Sequence, residues 1–194
     1  PLVVRAARDY VRWRMRGVFD GVFVHGLERA RHYAERGPII VAANHVCWWD
    51  ALTILTIDAA LTRQGHCVMD AANLAKLPFF AWLGAVPLDR DSPRQALRDL
   101  DASLALLDGP MASLWIFPQG EQRPAHVTPL GLQPGVFWLA KKSGATVLPL
   151  SLNYLYRQAP EPAVVASFGA LLPVLAGARR HAERASMEGL EREL

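Results

Sequence analysis

Between Gly21 and Phe168 the sequence alternates short apolar runs with stretches of helical pattern, and that alternation limits the fold more than any other feature. GVFVHG from Gly21 precedes a polar helix near Glu28–Arg36, and the strand-like PIIVAAN from Pro38 precedes a helix that starts near Asp50. A central sheet with helices on its faces follows from this order. The expected class is α/β, a mixed and mostly parallel sheet flanked by helices. With 194 residues the chain needs only one core. Residues 1–194 are therefore read as one domain: 1–19 a basic amphipathic helix, 20–175 the α/β core, 176–194 a polar terminal helix.

Further strands are expected over Gln64–Met69, Ala85–Asp89, Ser113–Phe117, Ala145–Tyr154 and Ala163–Phe168, with a short helix pair over Asn73–Leu83. Ser92-Pro93-Arg94-Gln95 offers an N-cap serine, a proline at the first helical position and a glutamine placed to close a capping box. From there Leu97, Leu100, Leu104 and Leu107 recur at helical spacing until Asp108-Gly109-Pro110, which predicts a helix packed by its leucine face. Pro118 ends the strand before it, since proline cannot donate to the ladder and forces its predecessor into extended geometry. Pro134–Ser143 reads as a helix stopped by Gly144.

Charge is uneven. Five arginines against the single Asp9 put +4 into the first sixteen residues and leave −1 for the rest of a chain whose net charge is +3. Arg5, Arg8, Arg12 and Arg16 recur every three or four residues, a basic stripe on a helix. Val3, Ala7, Tyr10, Val11 and Val18 fall opposite, with Trp13 and Met15 at the borders. This pattern suits either a terminal helix packed on the domain with its basic side solvated, or a helix lying among lipid headgroups. Nucleic acid is not an expected partner, because a binder spreads Lys and Arg over a face and the only lysines here are Lys76, Lys141 and Lys142.

The hydrophobic fraction is 52% with tyrosine counted and the 14 glycines left out, above the roughly 45–50% usual for soluble domains. Even so, Arg, Asp, Pro or Gly interrupts every apolar run well before the roughly 18 residues of a membrane span. Beginning at Pro1 without a methionine, the sequence leaves room for an upstream anchor or targeting segment. Cys47 and Cys67 have no C-x-x-C spacing and make no disulfide framework, which suits a reducing cytoplasm. Nor do His25, His32, His66, His126 and His181 show metal-ligand spacing, so no metal or bound cofactor is expected.

The chemistry concentrates at Asn44-His45-Val46-Cys47-Trp48-Trp49-Asp50, where the apolar run PIIVAA ends and a helix begins. Ligands of open α/β sheets bind at such ends. Neutral imidazole is suited to removing a hydroxyl proton near neutral pH, and a carboxylate on its other nitrogen orients it and stabilises the imidazolium that forms. His45 is the candidate base and Asp50, one turn onward, its partner. Cys47 is read as a small buried hydrophobe rather than a thioester nucleophile, and Trp48 and Trp49 as packing residues or, beside such a site, residues that face lipid. The apolar, aromatic stretch Ala75–Leu83 is read as core packing, or else as a wall of an apolar ligand groove or a membrane-facing patch.

Asn44-His45-x4-Asp50 resembles the first sequence block of the glycerolipid acyltransferases, the 1-acylglycerol-3-phosphate acyltransferases and their lysophospholipid relatives. Gly84-Ala85-Val86-Pro87-Leu88-Asp89-Arg90, Phe117-Pro118-Gln119-Gly120 and Val147-Leu148-Pro149-Leu150 are similar to the second, third and fourth, in the family's order. The resemblance spans about residues 20 to 155. It implies a glycerol-3-phosphate acyltransferase-like fold and transfer of a fatty acyl group from acyl-CoA or acyl carrier protein to a lipid hydroxyl. In that scheme His45 is the base, Asp50 orients it, and Arg90 binds the acceptor's phosphate, for which its planar fork of donors is suited. Gln119, Gly120 and Arg123 join the acceptor site, supported by Asn44, Pro118 and Pro149. Phospholipid synthesis at the cytoplasmic side of a membrane, with the protein held peripherally, is the implied setting.

The third block departs from the pattern. Where the family has Phe-Pro-Glu-Gly-Thr-Arg-Ser, this chain has Phe117-Pro118-Gln119-Gly120-Glu121-Gln122-Arg123-Pro124, so the acid has become an amide and the arginine comes one residue late. Two acceptor classes therefore stand side by side: lysophosphatidic acid or a related lysophospholipid, and a lipid alcohol without phosphate such as a glycolipid or carotenoid glycoside. Gly120 reads either as a plain turn or as a point where backbone amides approach an oxyanion. A lipid thioester hydrolase using the same pair, and a silent lipid-binding module, are the rival functions.

Overall fold

The computed structural model describes residues 2–61, 65–109, 112–172 and 180–194. In chain order the elements are α1 (Leu2–Arg16), β1 (Gly21–His25), α2 (Leu27–Ala34), β2 (Ile39–Ala43), α3 (Asp50–Ala60), β3 (His66–Asp70), α4 (Ala71–Lys76), α5 (Phe79–Trp82), β4 (Ala85–Leu88), α6 (Pro93–Leu104), β5 (Ser113–Ile116), α7 (Gly135–Ser143), β6 (Thr146–Tyr156), β7 (Pro162–Phe168) and α8 (Arg180–Glu193). Seven strands form one sheet in the order β1-β7-β6-β2-β5-β3-β4. Every neighbouring pair is parallel except β6 and β7. The chain is thus the α/β domain with a mostly parallel sheet that the alternation predicts. The expected strand start at Gln64, the stop residue Pro110 and the start of the last helix at Ala176 lie outside the described residues, as does the side chain of Val3.

Strand β2 shows why the run PIIVAA carries no polar residue. Ile39, Val41 and Ala43 pack with Ala30 and Ala34 of α2 and Ile54 and Ile57 of α3 on one face of the sheet. Ile40 and Ala42 pack on the other with Leu100 of α6, Val136 and Leu139 of α7 and Leu190 of α8. A strand buried on both faces has no solvated side and needs apolar residues at every position. All five of its residues are buried, and each large one contributes about 1.5–3 kcal/mol relative to exposure.

Helix α6 begins as its sequence signals: Ser92 accepts from the Gln95 amide at 3.3 Å. The reciprocal half of the capping box is absent, because the Gln95 side chain donates instead to Asp99 at 2.8 Å. Leu100, Leu104 and Leu107 join the core as expected, but Leu97 stays 53% exposed and borders a cleft rather than the core. Helix α7 stops at Gly144, whose φ of 70° an L side chain rarely adopts.

Helix α1 divides its apolar side between two environments. Val11 and Met15 are buried with Phe19 and Leu52, whereas Tyr10 and Trp13 remain exposed, their rings 5.9 Å apart. The basic stripe is divided too. Arg8 turns inward, 3.6 Å from the buried carboxylate of Asp58, while Arg5, Arg12 and Arg16 face solvent.

The topology places a site. From β2 the chain crosses through α3 to β3 on one side, and from β5 through α7 to β6 on the other. β2 and β5 are parallel neighbours, so their carboxyl ends sit together where the connections diverge. Open α/β sheets hold ligands at such a divergence.

Candidate active site

Asn44 follows the last residue of β2 and extends its pairing with β6 by side chain. Its Nδ2 donates to the Leu152 carbonyl at 3.0 Å, and its Oδ1 accepts from the Leu152 amide at 2.6 Å. With this clamp the direction in which the chain leaves the sheet is set, and His45 is the next residue.

His45 to Asp50 form a turn wrapped around the carboxylate at its end. Asp50 opens α3, where the helix N-terminus favours negative charge, and it is fully buried. Its Oδ2 accepts from the Val46 amide at 2.6 Å and the Cys47 amide at 2.9 Å, and it meets His45 Nδ1 at 2.7 Å. Because backbone N–H groups can only donate, this oxygen is an acceptor, and the imidazole donates to it through Nδ1. Nε2 is left unprotonated on the neutral ring, which is the form a base requires.

The opposite oxygen, Oδ1, accepts from the Tyr154 hydroxyl at 2.7 Å and lies 3.7 Å from the Cys47 sulfur. Burial, and then the Asp50 carboxylate, push the Cys47 thiol above its ordinary pKa. The thiol is therefore held protonated beside the carboxylate, unlike the thiolate a nucleophile requires. Tyr154 and its second partner Thr53, at 3.2 Å, escaped sequence reasoning. A lone tyrosine on a strand carries no motif, and 104 residues separate it from Asp50.

The third block brings its residues to the same place. Phe117 stacks on the His45 ring with centroids 4.3 Å apart. Gln119 is buried, and its Oε1 accepts from the His45 amide. The Arg123 amide donates to the His45 carbonyl at 2.8 Å. Gln119 thus uses an acceptor oxygen that an amide and a carboxylate both possess, so the departure from glutamate leaves this contact in place and removes only the charge. Pro118 stands between them, its carbonyl taking the Gln133 amide at 2.7 Å.

His45, Phe117, Pro118 and Gln119 border a cleft of about 1250 Å³. His45, Arg90, Gln119 and Gly120 line its polar part; Ile54, Leu55, Leu77, Phe80, Leu83 and Leu100 are among its apolar walls. The stretch Ala75–Leu83 thus supplies cleft wall as well as core. Gly120 has φ 73°, and a Cβ there would meet the Arg90 guanidinium at 3.1 Å, so the glycine lets Arg90 lie over the loop. Arg123 and Pro149 are not among the lining residues. Arg123 is taken up by Glu121, at 2.6 and 2.9 Å, and Pro149 is buried in β6 opposite Ala42.

A second buried carboxylate escaped sequence reasoning as well. Asp58 of α3 accepts from Trp115 Nε1 at 2.9 Å, Ser113 Oγ at 3.0 Å and the Gly65 amide at 2.9 Å, which ties α3 to β5 beneath the site. Among the described residues no group of three or more His, Cys, Asp or Glu is placed to hold a metal ion.

Fold and site together define an α/β protein that presents a carboxylate-oriented histidine at the rim of a large, mainly apolar cleft. The Acyltransferase family model matches residues 21–153. The chain belongs to that family and is an acyl-transferring enzyme. No curated protein matches it. Among solved structures, the pilus retraction motor PilT with bound ADP aligns with 85% of this chain and 55% of its own, at 7% identity and a TM-score of 0.40.

Proposed function

We propose that the enzyme transfers a fatty acyl group from acyl-CoA or acyl carrier protein to the hydroxyl of a lipid acceptor, with His45 as general base. The observation that carries this reading is the 2.7 Å contact between His45 Nδ1 and a fully buried Asp50 at the rim of an apolar cleft. His45 Nε2 removes the hydroxyl proton as the acceptor oxygen bonds to the thioester carbonyl carbon. The C–S bond then breaks, and the proton passes from Nε2 to the departing sulfur. Asp50 stabilises the imidazolium between these steps. An enzyme-bound acyl group is not required.

Arg90 favours an anionic acceptor, lysophosphatidic acid or a related lysophospholipid. It lines the cleft, and among the described residues no carboxylate or carbonyl engages it, whereas Glu121 holds Arg123. The neutral Gln119 leaves the second reading in play, a lipid alcohol without phosphate. Exposed Trp13 on α1, Trp48 beside His45, and Phe79 and Trp82 on α5 support work at a lipid surface, together with the solvent-facing arginines of α1. In this reading the protein sits peripherally on the cytoplasmic face. Among the described residues no helix is long and apolar enough to cross a membrane.

The test is incubation with labelled palmitoyl-CoA and a panel of lysophospholipids and lipid alcohols. Acceptor-dependent product lost in His45→Ala supports the proposal. Turnover retained by a folded His45→Ala protein refutes the base, and free fatty acid formed without an acceptor indicates a hydrolase.

A further inference from the structure

We propose that Tyr154 is a positioning residue for acyl transfer: by holding Asp50 Oδ1 while two backbone amides hold Oδ2, it fixes the plane of the carboxylate and so the ring that carries the proton. The inference rests on the general-base reading above. A carboxylate presents two equivalent oxygens, and one bound on a single side can turn about its Cβ–Cγ bond. Here Oδ2 takes the Val46 and Cys47 amides and the imidazole, while among the described residues Oδ1 has one close donor, the Tyr154 hydroxyl at 2.7 Å. Among the described residues the only other group on Oδ1 is the Cys47 sulfur at 3.7 Å, a weak donor.

Tyr154 is itself held from two sides. Its backbone pairs with Val164 of β7, and its ring lies 5.7 Å from that of Phe19. The direction of its hydroxyl follows by elimination. Its one proton goes to Asp50, which can only accept, so Thr53 must donate to Tyr154 across their 3.2 Å contact. The chain therefore runs from Thr53 to Tyr154 to Asp50, met from the other side by His45. Asp50 and Cys47 are the titratable groups that face the phenol, and burial with the Asp50 charge pushes its pKa far above the ordinary value. It stays a donor throughout the working pH range. Strand β6, which supplies none of the residues lining the cleft, thereby controls the geometry of a base that follows β2.

Tyr154→Phe keeps the ring and removes only the oxygen, so a purely structural tyrosine would tolerate it. With palmitoyl-CoA and lysophosphatidic acid as probes, the expected result is a fall in kcat of about 10- to 100-fold, the worth of one hydrogen bond to a charged group. KM should stay unchanged. A second readout needs no substrate: the low-field Nδ1 proton of His45, followed by NMR, should weaken or broaden. Wild-type kcat together with an unchanged Nδ1 proton would overturn the proposal. Should Tyr154→Phe not fold, Thr53→Val carries the test, with a smaller kcat loss and a broadened Nδ1 proton expected and wild-type values for both overturning it. His45→Ala separates the two levels: if that variant turns over, the base and the positioning role fall together; if it is inactive while Tyr154→Phe behaves as wild type, only the positioning role falls.

Discussion

Replacing Asp50 by asparagine should remove charge from the site without disturbing its geometry. The two backbone amides on Oδ2 cannot reverse their direction. They oblige an asparagine at this position to place its carbonyl oxygen there and to turn its NH2 toward Tyr154, whose hydroxyl can rotate to accept. His45 then still donates through Nδ1 and keeps Nε2 as base. What is lost is the attraction between carboxylate and imidazolium, about 4 kcal/mol for unit charges roughly 4 Å apart at an effective dielectric of 20. The carbonyl dipole retains part of it, so kcat should fall by about 10²- to 10³-fold. Asp50→Ala is expected to do worse in two respects. The ring loses its orienting partner, and two amides are left unsatisfied at about 1–3 kcal/mol each, which lowers Tm by something on the order of 10 °C. The assay is thioester cleavage from palmitoyl-CoA with lysophosphatidic acid, beside thermal unfolding of both variants. Equal activity in Asn and Ala, or equal Tm, would refute the reasoning, because either result means that the amides do not decide how the side chain at position 50 is oriented.

Arg90→Ala should raise KM for an anionic acceptor about tenfold or more while leaving a neutral lipid alcohol unaffected, since it removes a charge-assisted contact; equal effects on both classes would count against an anion site. Gly120→Ala forces a side chain into φ 73° and against Arg90, and is expected to cost about 1–2 kcal/mol in urea unfolding and to weaken the same acceptor. Gln119→Glu keeps the acceptor oxygen for the His45 amide and should fold normally, whereas Gln119→Leu loses that contact and should lower both Tm and kcat. Burial, then the Asp58 carboxylate, raise the Cys67 pKa to about 12. The folded state thus retains a proton that the unfolded chain releases at lower pH, and stability should fall as pH climbs from the ordinary thiol range toward 12. Cys67→Ala should flatten that part of the profile, as measured by Tm against pH.

How much was legible depended on the range of the interaction. The N-cap at Ser92, the stop at Gly144 and the uninterrupted apolar run of β2 are local, and each appears where its residues predict it. Gln95 does not close the capping box because Asp99, on the same helix, takes its side chain. Leu97 fits the helical period but falls where the sheet gives way to the cleft. Arg123 joins the acceptor site in what the resemblance implies, yet Glu121 two residues away occupies its guanidinium.

The order of strands and helices, the pairing of His45 with Asp50 across one turn, and membership of the acyltransferase family are written in the sequence, because each depends on residues close together or on short ordered motifs. The tertiary structure decided which partners complete them. Asn44 finds Leu152, Asp50 finds Tyr154, and Asp58 finds Trp115, in every case across more than fifty residues. A buried polar atom must find a partner wherever folding places one, and that choice is made only when β2, β5 and β6 come together at the carboxyl end of the sheet.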